Sequence, residues 1–150
     1  MSNYQRILVR IPVGGQGDVL LHRAAELAQS QRVQMLVVQV IDTRSGFESD
    51  GPAGILPGEV AARRVPEARK RLDLQLARNN LSWAEAKVVW GEPQAMLAEV
   101  IRAWKPDVVV ACYGHVSQGI AQGADILTVS CTSLFRRLAG IWRQPTLQHA

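Results

Sequence analysis

The clearest indication of the fold comes from residues 91–114, GEPQAMLAEVIRAWKPDVVVACYG. This segment predicts a helix that is followed at once by a buried strand. Pro93 suits the first helical position, since its missing N–H has no partner there and its φ is already helical. Five apolar side chains then recur at helical spacing: Met96, Leu97, Val100, Ile101 and Trp104. Pro106 ends the helix, and residues 108–111 form an apolar run without polar alternation. Such a run is typical of a strand in a parallel sheet that helices cover on both faces.

The same alternation of strand and helix extends outward from this stretch over the whole chain. Strands are predicted at residues 5–12, 33–41, 84–90, 108–111 and 145–147. The last helix is predicted at 125–140. Successive βαβ units cross over with a right hand, so the predicted fold class is α/β: a doubly wound, largely parallel five-stranded sheet with helices on both faces. With 150 residues, the chain is predicted to be one domain spanning 1–150.

Local signals define further details of the helices and loops. Asp18 is a good N-cap for the helix that follows the first strand. Pro66 either opens the second helix at its first turn or kinks a longer helix that begins near Glu59, and this helix ends near Asn79. Residues 42–58 are rich in glycine and proline and have no periodicity. A loop of this length inside a compact domain is usually functional or mobile.

Composition and charge indicate an ordinary globular protein. The sequence is 47% hydrophobic and 20% charged, and its net charge is +4. The basic residues come in three small groups on predicted helices: Arg63-Arg64, Arg69-Lys70-Arg71 and Arg136-Arg137. Because acids and apolar residues surround each group, the groups indicate solvated helix faces, and no nucleic-acid partner is expected.

The sequence also carries signals about compartment. No apolar run approaches the roughly 20 residues that a membrane span needs, so no membrane partner is expected. No secretory leader is seen at the N-terminus, and a cytoplasmic location is expected. Cys112 and Cys131 lie far apart in sequence and form no C-x-x-C pair, so they are predicted to be free thiols in a reducing compartment.

Several segments together resemble the universal stress protein family. They are YQRILVRIP at 4–12, VVQVID at 37–42, and the order GEP, amphipathic helix, WKPDVVV and glycine loop within 91–114. The order of elements fits over nearly the whole chain. The resemblance implies a Rossmann-like, adenine nucleotide alpha hydrolase-like fold. It also implies a cytoplasmic, non-enzymatic stress-response protein that forms a homodimer and acts on an unknown protein partner.

The resemblance places a nucleotide crevice at the carboxyl ends of the strands, where open α/β sheets bind ligands. Family members that hold ATP carry Gly-x2-Gly-x9-Gly-Ser/Thr after the fourth strand, so that backbone amides and a hydroxyl close on the phosphates. The crevice residues that the resemblance predicts here are Pro12, Val13, Val40, Gly114, His115, Thr132 and Ser133.

The sequence departs from the ATP-binding pattern at three places. Pro12 ends the first strand, where nucleotide-binding members carry an Asp. Of the two leading glycines only Gly114 is present. Nine residues further the chain reads Ala-Asp at 124–125 instead of Gly-Ser/Thr, unless an inserted stretch moves the helix start to 132–133. We therefore predict no resident cofactor and at most weak ATP binding, with an adenine-nucleotide (ATP or AMP) stress sensor that uses a variant phosphate loop as the alternative.

Two enzymatic alternatives rest on incomplete signals. The loop at 14–18, with Asp42 after the second strand, contains part of a dinucleotide fingerprint, but the third glycine is absent. Cys112 and His115 lie close in sequence, yet this does not supply the hydrogen bond that a Cys–His nucleophile needs. No metal-ligand spacing accompanies the histidines. The chain is therefore predicted to have no catalytic residue and no metal site.

Overall fold

The computed structural model describes residues 4–13, 16–29, 32–43 and 57–131. The strands are β1 Arg6–Ile11, β2 Gln34–Ile41, β3 Glu85–Trp90, β4 Val108–Cys112 and β5 Asp125–Val129. The helices are α1 Gly17–Leu27, α2 Pro57–Arg78, α3 Pro93–Trp104 and α4 Gln118–Ala121. Strand and helix alternate as the sequence predicts. Among these helices, none is both long and apolar enough to cross a bilayer.

The five strands of the described ranges form one parallel sheet in the order β3-β2-β1-β4-β5. At its centre, Val9 of β1 aligns with Val37 of β2 on one side and with Val110 of β4 on the other. The strand order reverses between β1 and β4, because successive right-handed crossovers proceed first toward one edge and then toward the other. The predicted doubly wound α/β sheet is confirmed.

Side chains of the central strands point alternately to the two faces of the sheet, and they form one hydrophobic core on each face. On one face Ile7 of β1 packs with Leu20 of α1 and Leu72 of α2. On the other face Leu8 of β1 packs with Leu97 of α3. None of these five side chains is more than 1% exposed. Full burial of such a side chain contributes roughly 1.5–3 kcal/mol, so the two cores fix the helices on opposite faces.

The helix and strand at 91–114 fold as the sequence predicts. Pro93 is the first residue of α3, and the carboxylate of Glu92 caps the helix by accepting two backbone N–H groups of the first turn. Lys105 takes a left-handed φ of 55° and ends the helix through its N–H, which donates to the Ile101 carbonyl. Every residue of β4 is buried, as expected for a central parallel strand.

Helix α2 resolves the alternatives at Pro66. The helix begins at Pro57 and continues through Pro66 to Arg78, so Pro66 lies inside a long helix. Asn80 follows the helix with a left-handed φ of 58°. The predicted end of the helix near Asn79 is therefore correct.

The predicted N-cap of α1 is wrong. Gln16 occupies the N-cap position, and Asp18 lies inside the first turn of the helix. The carboxylate of Asp18 instead accepts hydrogen bonds from α2 and from the residue that follows it. The contacts of this side chain therefore depend on hydrogen-bond donors distant in sequence. The residues around Asp18 do not indicate those donors.

The predicted helix at 125–140 is also wrong in its described part. Residues 125–129 form β5. Asp125 caps no helix here, and its Oδ2 atom accepts a hydrogen bond from the Tyr4 hydroxyl, with 2.7 Å between the two oxygens. Residues 125–129 pair with the edge of β4, and this pairing outweighs the helical preference that the spacing of Leu127 and Cys131 indicates. The predicted strand at 145–147 lies outside the described residues.

Candidate functional site

The carboxyl ends of β1 and β2 open into a cavity of about 840 Å³. Its described walls come from residues at the ends of these two strands, from one face of α2, and from Pro93 and His115. The strand order reverses beside β1, so the cavity lies where open α/β sheets bind ligands. Its volume is within the usual range of small-molecule sites.

The structure brings four of the seven predicted crevice residues to this cavity: Pro12, Val13, Val40 and His115. Gly114 precedes His115 with a left-handed φ of 85°, but it is not one of the residues that line the cavity. Thr132 and Ser133 lie outside the described residues. The binding roles of all seven residues stay predictions.

Two backbone N–H groups of the loop after β4 donate hydrogen bonds within the chain. The N–H of Tyr113 donates to the Val129 carbonyl at 3.1 Å, and the N–H of His115 donates to the Cys112 carbonyl at 3.0 Å. A phosphate-binding loop presents several free N–H groups to its ligand. These two groups instead hold the loop against β5 and against its own strand.

The His115 carbonyl is also engaged within the chain. It accepts hydrogen bonds from the Arg10 guanidinium and from the Gln94 amide, the latter at 3.3 Å. Burial lowers the pKa of Arg10, and the nearby Glu92 carboxylate offsets part of that effect. Burial and the charge of Arg10 together lower the pKa of His115, so the imidazole is neutral at pH 7. Its Nδ1 atom is buried and has no hydrogen-bond partner in the described structure.

The wall that α2 contributes to the cavity is basic. Arg64, Arg71 and Arg78 line it, and their seven-residue spacing places them on one face of the helix, two turns apart. Arg78 forms an ion pair with Asp18 at 2.9 Å. Among the described residues that line the cavity, Arg10 and these three arginines outnumber the two acids, Asp42 and Glu67.

The prediction of solvated helix faces missed this basic wall. Arg64 and Arg71 are exposed, as predicted, but they border the cavity instead of facing open solvent alone. A signal was present in the sequence. The spacing 64, 71, 78 places the three arginines on one face of the helix, beside the buried residues Ala68 and Leu72.

The structure holds a disulfide between Cys112 and Cys131, so the prediction of two free thiols is wrong. The two Cα atoms are 5.5 Å apart although 19 positions separate the residues in sequence. Cys112 aligns with Val129 on the neighbouring strand, and the pairing of β4 with β5 brings the two ends together. Neither cysteine retains a thiol, which removes the Cys–His nucleophile. No group of three or more potential metal ligands occurs within the described ranges.

Gly17 and Asp18 fasten α1 to α2 beside the cavity. Three side chains donate to the Asp18 carboxylate: Gln75 at 3.1 Å, Arg78 at 2.9 Å and Asn79 at 3.0 Å. Burial alone would raise the pKa of Asp18, but these hydrogen bonds outweigh burial and hold the pKa below its ordinary value. A Cβ on Gly17 would lie 2.6 Å from Gln75 Nε2 and 2.9 Å from Ile11 Cγ2. The described part of the loop at 14–18 thus serves helix packing.

A parallel sheet whose strand order reverses beside β1, with helices on both faces, defines the class of doubly wound α/β proteins. Within that class, a family model described as the universal stress protein family matches residues 3–117. The chain therefore belongs to the universal stress protein family. No curated protein matches the chain.

Solved structures of the same family share the fold. A universal stress protein family member from Burkholderia pseudomallei is 18% identical, with 86% of this chain and 98% of that chain covered and a TM-score of 0.59. A universal stress protein in complex with cAMP is 17% identical, with 87% and 100% covered and a TM-score of 0.57. One from Archaeoglobus fulgidus in complex with dAMP is 15% identical, with 86% and 100% covered and a TM-score of 0.53.

Proposed function

We propose that this universal stress protein is a non-enzymatic, ligand-binding stress-response protein that does not hold ATP tightly. The observation that carries the proposal is the state of the loop after β4. The amides of Tyr113 and His115 are already donated within the chain. A triphosphate needs such amides free, because a phosphate loop binds through converging N–H groups.

The end of β1 supports the same proposal. Pro12 has no N–H to offer a ligand and no carboxylate, and its carbonyl accepts the Gln39 side-chain amide at 3.3 Å. Both ends of the family's nucleotide crevice therefore have weakened polar contacts in this chain. The cavity between them remains large enough for a small molecule.

Thermal unfolding in the presence of ATP and magnesium tests the proposal. A ligand at 100 times its Kd adds about 2.7 kcal/mol of stability. We expect no rise in melting temperature at millimolar ATP relative to magnesium alone. A clear rise would favour the adenine-nucleotide sensor, the alternative that the cAMP and dAMP complexes of the two relatives support. NAD in the same melt tests the dinucleotide-dependent enzyme, for which we also expect no rise.

We further propose a homodimer, because universal stress proteins often pair as two copies. Within the described residues β5 is an edge strand whose one neighbour is β4. Size-exclusion chromatography with light scattering, at tens of micromolar protein, measures the oligomeric state directly. A single-chain mass of 16.5 kDa would contradict the dimer.

We also propose that the protein is located in the cytoplasm, because its resemblance to the family implies that location. Disulfides are rare in reducing compartments, so the Cys112–Cys131 bridge makes this location testable. Rapid alkylation of free thiols in intact cells, followed by mass spectrometry, measures the fraction of each cysteine that is oxidised. Full oxidation in every growth condition would contradict a cytoplasmic location, whereas reduced or mixed states support it.

A further inference from the structure

Two guanidinium groups on the cavity wall have no ion-pair partner within the described part of the chain. These belong to Arg64 and Arg71, which line the cavity from the same face of α2. Arg78 differs because it is paired with Asp18, and Arg10 differs because it is bound to the His115 carbonyl. The charge available to a ligand is therefore concentrated at two positions. Seven residues of helical rise separate them by about 10 Å.

The wall between these two arginines is unsuited to a continuous chain of phosphates. Glu67 lies one turn from each arginine and borders the same cavity, so it repels negative charge placed midway. Ala68 and Leu72 lie in the same stripe and are apolar. The middle of the wall therefore favours an uncharged segment, while its two ends favour anions.

Two exposed apolar side chains at the cavity add to this pattern. Val13 after β1 is 70% exposed and Leu74 on α2 is 69% exposed, and both line the cavity. An apolar ligand segment that covered them would gain roughly 25 cal/mol for each Å² removed from water. A purely polar ligand would leave them exposed.

From these observations we propose that the cavity binds an elongated organic dianion, with an acidic group at each end and an apolar body between, held by Arg64 and Arg71. The proposal rests on the proposed function, because it identifies the class of ligand that the cavity takes in place of ATP. A carboxylate at each end forms the paired N–H···O contacts that guanidinium groups favour.

Isothermal titration with three acids tests the proposal on the full chain. The probes are sebacate, a ten-carbon chain whose two end carbons are carboxylates; decanoate, a chain of the same length with one carboxylate; and succinate, a short dicarboxylate. We expect sebacate to bind at least tenfold more tightly than either of the others, because it alone reaches both arginines. Equal affinities for sebacate and decanoate, or no binding of sebacate, would overturn the proposal.

Two substitutions locate the site, and one matched substitution controls for loss of charge. Arg64→Gln and Arg71→Gln should each weaken sebacate about tenfold, while Arg63→Gln, which removes the same charge one residue away, should not. Circular dichroism confirms that each variant folds. An equal effect of all three substitutions would mean a diffuse charge effect and would overturn the proposal.

The same titration run with ATP keeps the two proposals apart. Absence of both sebacate and ATP binding would overturn the dianion site and leave the proposed function standing. Binding of ATP would overturn the proposed function whatever sebacate does.

Discussion

The two sides of the sheet's carboxyl edge differ in how their polar groups are used. On the β4 side, backbone amides are donated within the chain and a disulfide joins the end of β4 to residue 131. On the α2 side, a cavity of about 840 Å³ remains open, and its wall carries guanidinium groups. The first region is closed by internal bonds, and the second offers charge to a ligand.

This contrast indicates where a ligand can be expected to bind when the loop after β4 has donated its amides within the chain. Backbone amides recognise phosphate through the geometry of a loop, and they are lost when the loop finds partners inside the protein. Side-chain guanidinium groups do not depend on loop geometry in this way. In the proposed dianion site, the polar contacts come from the face of a helix and not from the loop after β4.

The largest expected effect concerns the bridge that closes the β4 side. Removing it in a Cys112→Ser/Cys131→Ser protein should lower the free energy of unfolding by about 3 kcal/mol, because a chain closed over 19 positions gains conformational freedom in its unfolded state. Urea denaturation with and without a dithiol reductant measures this. The double variant is the control, since reductant should not move its midpoint. Equal midpoints for the oxidised and reduced wild-type protein would contradict the prediction.

The next effect concerns the packing that supports the α2 side. Gly17→Ala should lower the free energy of unfolding by about 1–3 kcal/mol, because the added methyl group would clash with Gln75 and with the buried Ile11. Gly119→Ala is the matched control, since a Cβ at Gly119 would meet nothing within 4 Å. Chemical denaturation of both variants gives the comparison. A loss as large in the control as in Gly17→Ala would refute the packing argument.

A smaller effect concerns the charge of Asp18, which ties α1 to α2. Its pKa is lowered in the folded protein, so its stabilising contribution is present above the ordinary value of 3.8 and is lost as pH falls through the folded value. Asp18→Asn should cost about 1 kcal/mol or less at pH 7, because solvent screens a pair whose side chains are 45% and 64% exposed. The difference in unfolding free energy between the wild type and the variant should stay constant from pH 7 to about pH 4 and should shrink between pH 4 and pH 2. A constant gap across that range would show that charge is not the cause.

The smallest effect concerns His115 on the closed side. Its pKa is lowered in the fold, so the unfolded chain binds a proton more readily, and stability should fall as pH drops through the ordinary value of 6.5. His115→Gln keeps the backbone carbonyl that Arg10 and Gln94 contact, and it should lose less stability between pH 7.5 and pH 5.5 than the wild type does. Parallel slopes in the two proteins would assign the pH dependence to other groups.

The sequence predicted the parts of the fold that depend on neighbouring residues. The apolar stripe of α3, its opening at Pro93 and the buried run of β4 are local signals, and the structure agrees with each of them. The sequence also predicted a crevice at the carboxyl ends of the strands, and the structure has a cavity there; its role as a binding site stays a prediction.

The parts that the sequence did not predict depend on contacts between distant residues. Strand β5 forms because the edge of β4 offers a partner, and that same pairing brings Cys131 to Cys112. Asp18 finds its donors on and just after α2, about 60 residues away. The basic wall of the cavity was visible as a seven-residue spacing, but only the fold reveals that this face borders a cavity.

Pro66 gives the basic wall a further property. It lies between Arg64 and Arg71, and a proline inside a helix cannot donate to the carbonyl four residues earlier and bends the axis there. If the proposed dianion site is correct, the distance between the two arginines depends on the helix geometry at Pro66 as well as on helical rise. Replacing Pro66 by alanine should then change the preferred length of dicarboxylate, which affinities for shorter and longer dicarboxylates measure; an unchanged order of affinities would mean that Pro66 has no such role.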